Sequence, residues 1–96
     1  MTNNDIDLVR DNPEQNRFEL ATKAGLAVAE YRRDGHLLIV YHTEVPIAVR
    51  GQGIGEQLVR GVLSEAQRRN LKVIPSCWFV REVMEGDPQY RDLLPE

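Results

Sequence analysis

Short apolar stretches bounded by turn formers mark the first half of the chain, and apolar positions recur with helical spacing through much of the second. Ile6 to Arg10 alternates, the turn formers DNPEQN follow, and RFEL from Arg17 to Leu20 alternates again, so the start reads as two paired strands. After Lys23-Ala24-Gly25, the runs LAVAEYRR and HLLIVYHTEV, the latter from His36 to Val45, flank Asp34-Gly35, one of the strongest short hairpin signals. The pattern predicts a four-stranded antiparallel meander that Pro46 halts.

The period then changes. From about Ile54 to Arg69 the residues Leu58, Val59, Val62, Leu63 and Ala66 fall on one stripe of a helix. Glu56 in its first turn and Arg68 and Arg69 in its last suit the helix dipole, and Asn70 is a left-handed stop. LKVIPSC reads as a strand, and the intervening helix lets it lie parallel to the strand before. Phe79 to Glu85 reads as a short second helix ended by Gly86-Asp87-Pro88. The expected fold class is α+β: antiparallel meander, glycine-rich turn, central helix, parallel fifth strand, short C-terminal helix. Ninety-six residues, 42% of them hydrophobic, suit one domain over 1–96 with one core.

Composition narrows the chemistry. The N-terminus MTNNDIDLVRDNPEQN has no signal-peptide character and nowhere do eighteen apolar residues follow one another, so a cytoplasmic protein with no membrane partner is expected. The single Cys77, with only His36 and His42 beside it, shows no metal-ligand spacing, and no metal is expected. The formal charge of −3 is mixed along the chain, which disfavours nucleic acid as a partner.

VRGQGIGEQLVRGVL, residues 49–63, puts Gly51, Gly53 and Gly55 where a helix should be starting. Each glycine costs a helix about 1 kcal/mol relative to alanine, so the pattern needs a reason. A strand, a glycine turn and a helix N-terminus together present unpaired N–H groups and the positive end of the dipole to one spot, which suits a phosphate. Gly51, Gly53 and Gly55 let the backbone approach a ligand without Cβ atoms in the way, and Gly55 also falls on the sheet-facing stripe, where a small residue permits close packing. Gly55-Glu56-Gln57 replaces the Gly-Lys-Ser/Thr of a nucleoside triphosphate loop, and a preceding meander is not the parallel unit of a dinucleotide fold. A pyrophosphate cradle and a purely structural glycine turn both remain open on these grounds.

Arg50-Gly51-Gln52-Gly53-Ile54-Gly55 resembles the acetyl-CoA motif of the GNAT acetyltransferase superfamily, in which Arg/Gln-x-x-Gly-x-Gly/Ala wraps the CoA pyrophosphate. His42-Thr43-Glu44-Val45-Pro46, Pro75-x-Cys77-x-Phe79-Val80 and Pro88-x-Tyr90-x-Asp92-Leu93 are similar to the small single-domain N-acetyltransferase-like branch, from about Ile6 to Leu94. The resemblance implies acetyl-CoA as cofactor, held by Val45, Val49, Arg50, Gly51, Gln52, Gly53, Ile54, Gly55, Cys77 and Phe79. Its pantetheine arm would lie between strands splayed apart near Val45 and Cys77. The chain lacks the later strands and helices that commonly shape the acceptor pocket, so the acceptor site is expected to be shallow, or completed by a second copy of the chain or by the substrate. That suits a protein or peptide amine. The oligomeric state is left open.

Amine acetylation needs a base for the ammonium, a donor for the thioester carbonyl and an acid for the thiolate. Alternation puts His42 and Glu44 on one strand face, where either is a candidate base or a solvated strand-end residue. Cys77 is a candidate nucleophile, a pocket-lining residue or a small buried hydrophobe. Tyr90 is a possible acid by family analogy but more readily a packing residue, and Trp78 and Phe79 read as core or pocket wall. Two functions stay in play: transfer of acetyl to a primary amine, and a non-catalytic CoA or acyl-CoA-binding module.

Overall fold

The computed structural model describes residues 8–95. Among them five strands form one sheet in chain order. β1 (Arg10–Asn12), β2 (Arg17–Thr22), β3 (Gly25–Asp34) and β4 (Leu37–Glu44) pair antiparallel, and β5 (Lys72–Pro75) runs parallel to β4. A 3₁₀ turn (Ile47–Val49) and helix α1 (Ile54–Arg68) join β4 to β5, and helix α2 (Trp78–Glu85) follows. This is the α+β order that the sequence predicts.

The differences lie at element ends. The expected first strand began at Ile6, which with Asp7 lies outside the described residues; Leu8 and Val9 are not in a strand, and the strand contains Asp11 and Asn12, read above as turn. Tertiary contacts override their turn preference. Asp11 accepts hydrogen bonds from the Tyr31 hydroxyl at 2.7 Å and from Arg69 at 3.0 Å, and Asn12 donates to Glu19 at 2.9 Å. The hairpin also closes one residue later than expected: Asp34 pairs with Leu37, so the loop is Gly35-His36, with Gly35 at φ 60°. β5 stops at Pro75, leaving Ser76 and Cys77 outside the strand. A 3₁₀ helix over Pro88–Leu93, which carried no periodicity, is capped by Asp87.

The apolar stripe of α1 covers one face of the sheet. Leu58, Val59, Val62, Leu63 and Ala66 are buried against Phe18 and Leu20 of β2, Ala27, Ala29 and Tyr31 of β3, Leu38 and Val40 of β4, and Val73 of β5. Asn70 ends the helix in the left-handed conformation, φ 57°, as its position suggests. Val80 and Met84 of α2 and Tyr90 and Leu93 beyond it close the same core.

Burial first, then the hydrogen bond to the Asp11 carboxylate, pushes the Tyr31 phenol up to about 12. A raised folded-state value favours the neutral form, so this contribution is fully present below the unfolded value near 10 and is lost as pH rises through 12. Absorbance titration at 295 nm should show one phenol ionising late, near 12, and Tyr31→Phe should remove that step. Denaturant unfolding of Tyr31→Phe near pH 7 should show a loss of about 1–3 kcal/mol, as for a hydrogen bond to a charged acceptor.

Candidate functional site

β4 carries an irregularity that decides which side chains share a face. Val40 lies opposite Tyr31 but His42 lies opposite Glu30, so Tyr41 is an extra residue in β4. This bulge shifts the alternation by one. Val40 faces the core, and beyond the bulge Thr43, opposite the buried Ala29, takes that side. His42 and Glu44 therefore do share a face, as expected, but it is the face away from α1. Their side chains are 50% and 64% exposed, with His42 Nε2 at 3.4 Å from Glu44 Oε1.

The β4–β5 ladder ends at Val40 opposite Pro75. Pro75 has no N–H with which to continue, and the Val40 carbonyl instead accepts from the N–H groups of Ser76 at 3.0 Å and Cys77 at 3.2 Å. From that junction the chain turns into α2 while β4 runs on to Glu44, so the two strands part at Val40 and Pro75, earlier along β4 than the Val45 the resemblance implies. Cys77 is the N-cap of α2 and is half-buried. Its Sγ lies 3.7 Å from the Thr43 hydroxyl.

Burial raises the Cys77 thiol, but the N–H groups of Val80 and Phe79 at the start of α2 and the Thr43 hydroxyl outweigh it, and the net direction is down. The cap makes no side-chain hydrogen bond of ordinary geometry, so the helix-start donors act on the sulfur as a field rather than as a formed bond. Iodoacetamide should therefore alkylate Cys77 at pH 7.5 faster than it alkylates the same cysteine in the urea-unfolded chain, read by intact mass, and saturating CoA should slow the reaction.

The glycine turn supplies the other wall. Gly51 and Gly53 both have φ 81°, a region closed to most side chains, and a Cβ added at either would meet no protein atom within 4 Å. Gly53 is the N-cap of α1 and has no side chain with which to satisfy the first N–H groups of the helix. Gly55 has a different reason to be glycine: its Cβ would lie 3.2 Å from the Phe79 ring and 3.6 Å from Val45. The Arg50 Nε donates to the Val45 carbonyl at 2.9 Å, bracing the turn that carries the glycines. Glu56 also faces this space, where a negative charge would oppose an anion, and Arg60 compensates it at 2.8 Å. The same guanidinium holds Asp87 at 2.9 Å and the Tyr90 hydroxyl at 3.1 Å, tying the start of α1 to the segment after α2.

These walls enclose one cavity of about 950 Å³, near the upper end of the usual range for small-molecule sites, about 300–1,000 Å³. It brings together His42, Glu44, Val45, Val49, Arg50, Gly51, Gly53, Ile54, Gly55, Cys77 and Phe79. Of the residues singled out from the sequence, Gln52 is exposed and does not line the cavity, and Tyr90 is buried against Arg60 away from it. Sequence reasoning missed Tyr41 and Thr43, because a bulge leaves no mark on simple alternation, and it did not assign Ser76 or Glu56 to the cavity.

A family model described as GCN5-related N-acetyl-transferase matches residues 17–93. Protein NATD1 of Mus musculus is 34% identical over 71 residues, which cover 71% of this chain and 64% of that protein. Protein NATD1 of Homo sapiens is likewise 34% identical over 71 residues, covering 71% and 63%. The chain thus matches less than two thirds of the length of these relatives. Among solved structures, a GCN5-like protein from Staphylococcus aureus, determined by NMR in solution, superposes with a TM-score of 0.69 at 30% identity, over 91% of this chain and 86% of that one.

Proposed function

The chain belongs to the GCN5-related N-acetyltransferase family, and from that premise we propose that it binds acetyl-CoA in the 950 Å³ cavity and transfers the acetyl group to a primary amine. The observation that carries the reading is continuity. One cavity is lined both by the glycine turn at the start of α1 and by the residues where β4 and β5 part, as a ligand with a phosphate end and a reactive end requires. In this reading the N–H groups of residues 51–55 hold the pyrophosphate, with Arg50 bracing them. Val45, Ile54 and Phe79 wall the pantetheine arm, and the acetyl group lies by Cys77 and Thr43.

For direct transfer, Glu44 takes a proton from the ammonium, alone or with His42. The neutral nitrogen would then attack the acetyl carbon and the C–S bond break, the proton shed by the nitrogen as the amide forms going to the departing CoA thiolate directly or through water. The other route passes through Cys77: its thiolate attacks the acetyl carbon and releases CoA, and the amine then displaces the cysteine sulfur. Intact mass after mixing with acetyl-CoA separates the two. A single acetyl adduct that disappears in Cys77→Ala, together with lost transfer, supports the covalent route; wild-type transfer by Cys77→Ala assigns Cys77 to the pocket wall.

The reading is tested by calorimetry with CoA and by free-thiol release from acetyl-CoA with a panel of amines and lysine peptides. Binding with turnover supports the enzyme. Binding without turnover against every acceptor supports the binding-module reading, which the high exposure of Glu44 and His42 favours, and absence of CoA binding overturns both. Among the described residues no helix is long and apolar enough to cross a membrane.

A further inference from the structure

Glu56 sits where a carboxylate ought to obstruct an anion. It lines the cavity, and it is the third residue of α1, the position from which a glutamate side chain ordinarily reaches back to the N–H of the N-cap, here Gly53. Placed so, it would occupy donors that a phosphate needs and set a like charge beside them. The structure draws it the other way. Glu56 Oε2 accepts from Arg60 Nε at 2.8 Å, and Arg60 stands one turn further along the helix. Arg60 does not line the cavity. Its Nη1 donates to Asp87 Oδ2 at 2.9 Å and to the Tyr90 hydroxyl at 3.1 Å, and the guanidinium carbon lies 5.6 Å from the Tyr90 ring centroid. Asp87 is fixed in turn by Gln89, whose backbone N–H and side-chain amide donate to it at 3.1 Å and 3.0 Å. Tyr90 belongs to the buried core, so the far end of the arrangement is rigid. An arginine that would otherwise sample many rotamers is held in one.

We propose that Arg60 is a positioning residue for the anion-binding end of the cavity: locked by Asp87 and Tyr90, it holds the Glu56 carboxylate away from the N–H groups at the start of α1 and keeps them open to a phosphate. The inference rests on the reading of the cavity as a CoA site for the identity of the ligand, while the claim itself concerns any pyrophosphate at the glycine turn. Arg60 acts through Glu56 rather than by touching the ligand, so its effect vanishes once residue 56 carries no charge. That dependence separates it from an arginine that merely fastens the segment after α2 to the start of α1. Loss of such a fastener would be felt equally with a glutamate or a glutamine at position 56.

The test compares the full wild-type chain with Arg60→Met, Glu56→Gln and the double variant, each titrated with CoA at low ionic strength, where exposed charges are least screened. Methionine keeps an apolar stem against Tyr90 without the charge. Binding is read from the amide signals of Gly51, Gly53 and Gly55 in proton–nitrogen correlation spectra. Arg60→Met should lower affinity about fivefold, the scale of a partly exposed charge interaction. Glu56→Gln should bind at least as tightly as wild type, and the double variant should return to within about twofold of Glu56→Gln, since the two changes act through one pair. Thermal unfolding establishes that the variants are folded; if Arg60→Met does not unfold cooperatively, Arg60→Gln takes its place and retains an amide for the Tyr90 hydroxyl. Wild-type affinity in the Arg60 variant, or a loss that Glu56→Gln leaves unrelieved, overturns the proposal. Every titration is repeated with inorganic pyrophosphate. If the wild-type chain ignores CoA but binds pyrophosphate at the turn with the same order among the variants, the cofactor reading falls and the role of Arg60 stands. If CoA binds all four proteins alike, the proposal alone falls, and binding of neither anion to wild type sinks both.

Discussion

Gly53→Val should abolish measurable CoA binding by calorimetry, a loss of at least about 100-fold in affinity, while the protein still unfolds cooperatively. The residue holds φ 81° at the N-cap of α1, where a β-branched side chain is strongly disfavoured. The strain costs on the order of 1–3 kcal/mol, which a core built on Leu58, Val59, Val62, Leu63 and Ala66 of α1 is placed to tolerate. Strain relieved by rotation at residue 53 would turn the first N–H groups of the helix away from the cavity. Strain endured would leave two methyl groups in the space where no protein atom approaches within 4 Å. Either outcome removes the cradle. Gly53→Ala should fall between, since it carries the same φ penalty with less bulk. Wild-type affinity in a folded Gly53→Val protein would show that the glycine turn serves only the chain's own geometry. Gly55→Ala is a useful contrast, because there the added methyl meets the Phe79 ring at 3.2 Å and the conflict is within the protein.

The order of elements was legible because burial on one face writes a period into the sequence. The stripe on α1 and the alternating burial in β2 and β4 each report a single buried face, and these elements and β3 form within a residue or two of where the pattern puts them. What alternation could not report was structure held by specific polar contacts. β1 exists because Asp11 reaches Tyr31 and Arg69, partners 20 and 58 residues away, and no local rule in a stretch rich in turn formers anticipates that. The 3₁₀ helix over Pro88–Leu93 likewise depends on Asp87, which caps it and is held by Arg60.

The site was legible in its glycines and hidden in its bulge. Positive φ at Gly51 and Gly53 and tight packing at Gly55 are separate demands that leave the same letter in the sequence, although all three glycines line the cavity. Gln52 followed from the motif alone and lies outside the cavity. The extra residue at Tyr41 decides which way Thr43 faces. Unbroken alternation from Leu38 and Val40 would have sent His42 and Glu44 toward the core and Thr43 outward; the bulge instead brings Thr43 to Cys77 and leaves the two titratable side chains in solvent.

That placement makes Glu44→Gln the sharpest test of chemistry at the site. The carboxylate is 64% exposed, with His42 at 3.4 Å, so the amide should leave stability within about 0.5 kcal/mol of wild type. The glycine turn is untouched, and CoA affinity should not change. If Glu44 removes the ammonium proton, kcat at saturating amine should fall roughly 100-fold, the usual cost of deleting a general base. Weaker amine binding alone would raise KM and leave kcat where it was, so the two parameters separate a base from a charge that merely attracts the acceptor. Unchanged kcat in Glu44→Gln with a large loss in His42→Gln moves the proton transfer to the imidazole. If neither variant loses kcat, the amine enters already neutral, and kcat/KM in both should climb about tenfold per pH unit until the amine's own pKa is passed.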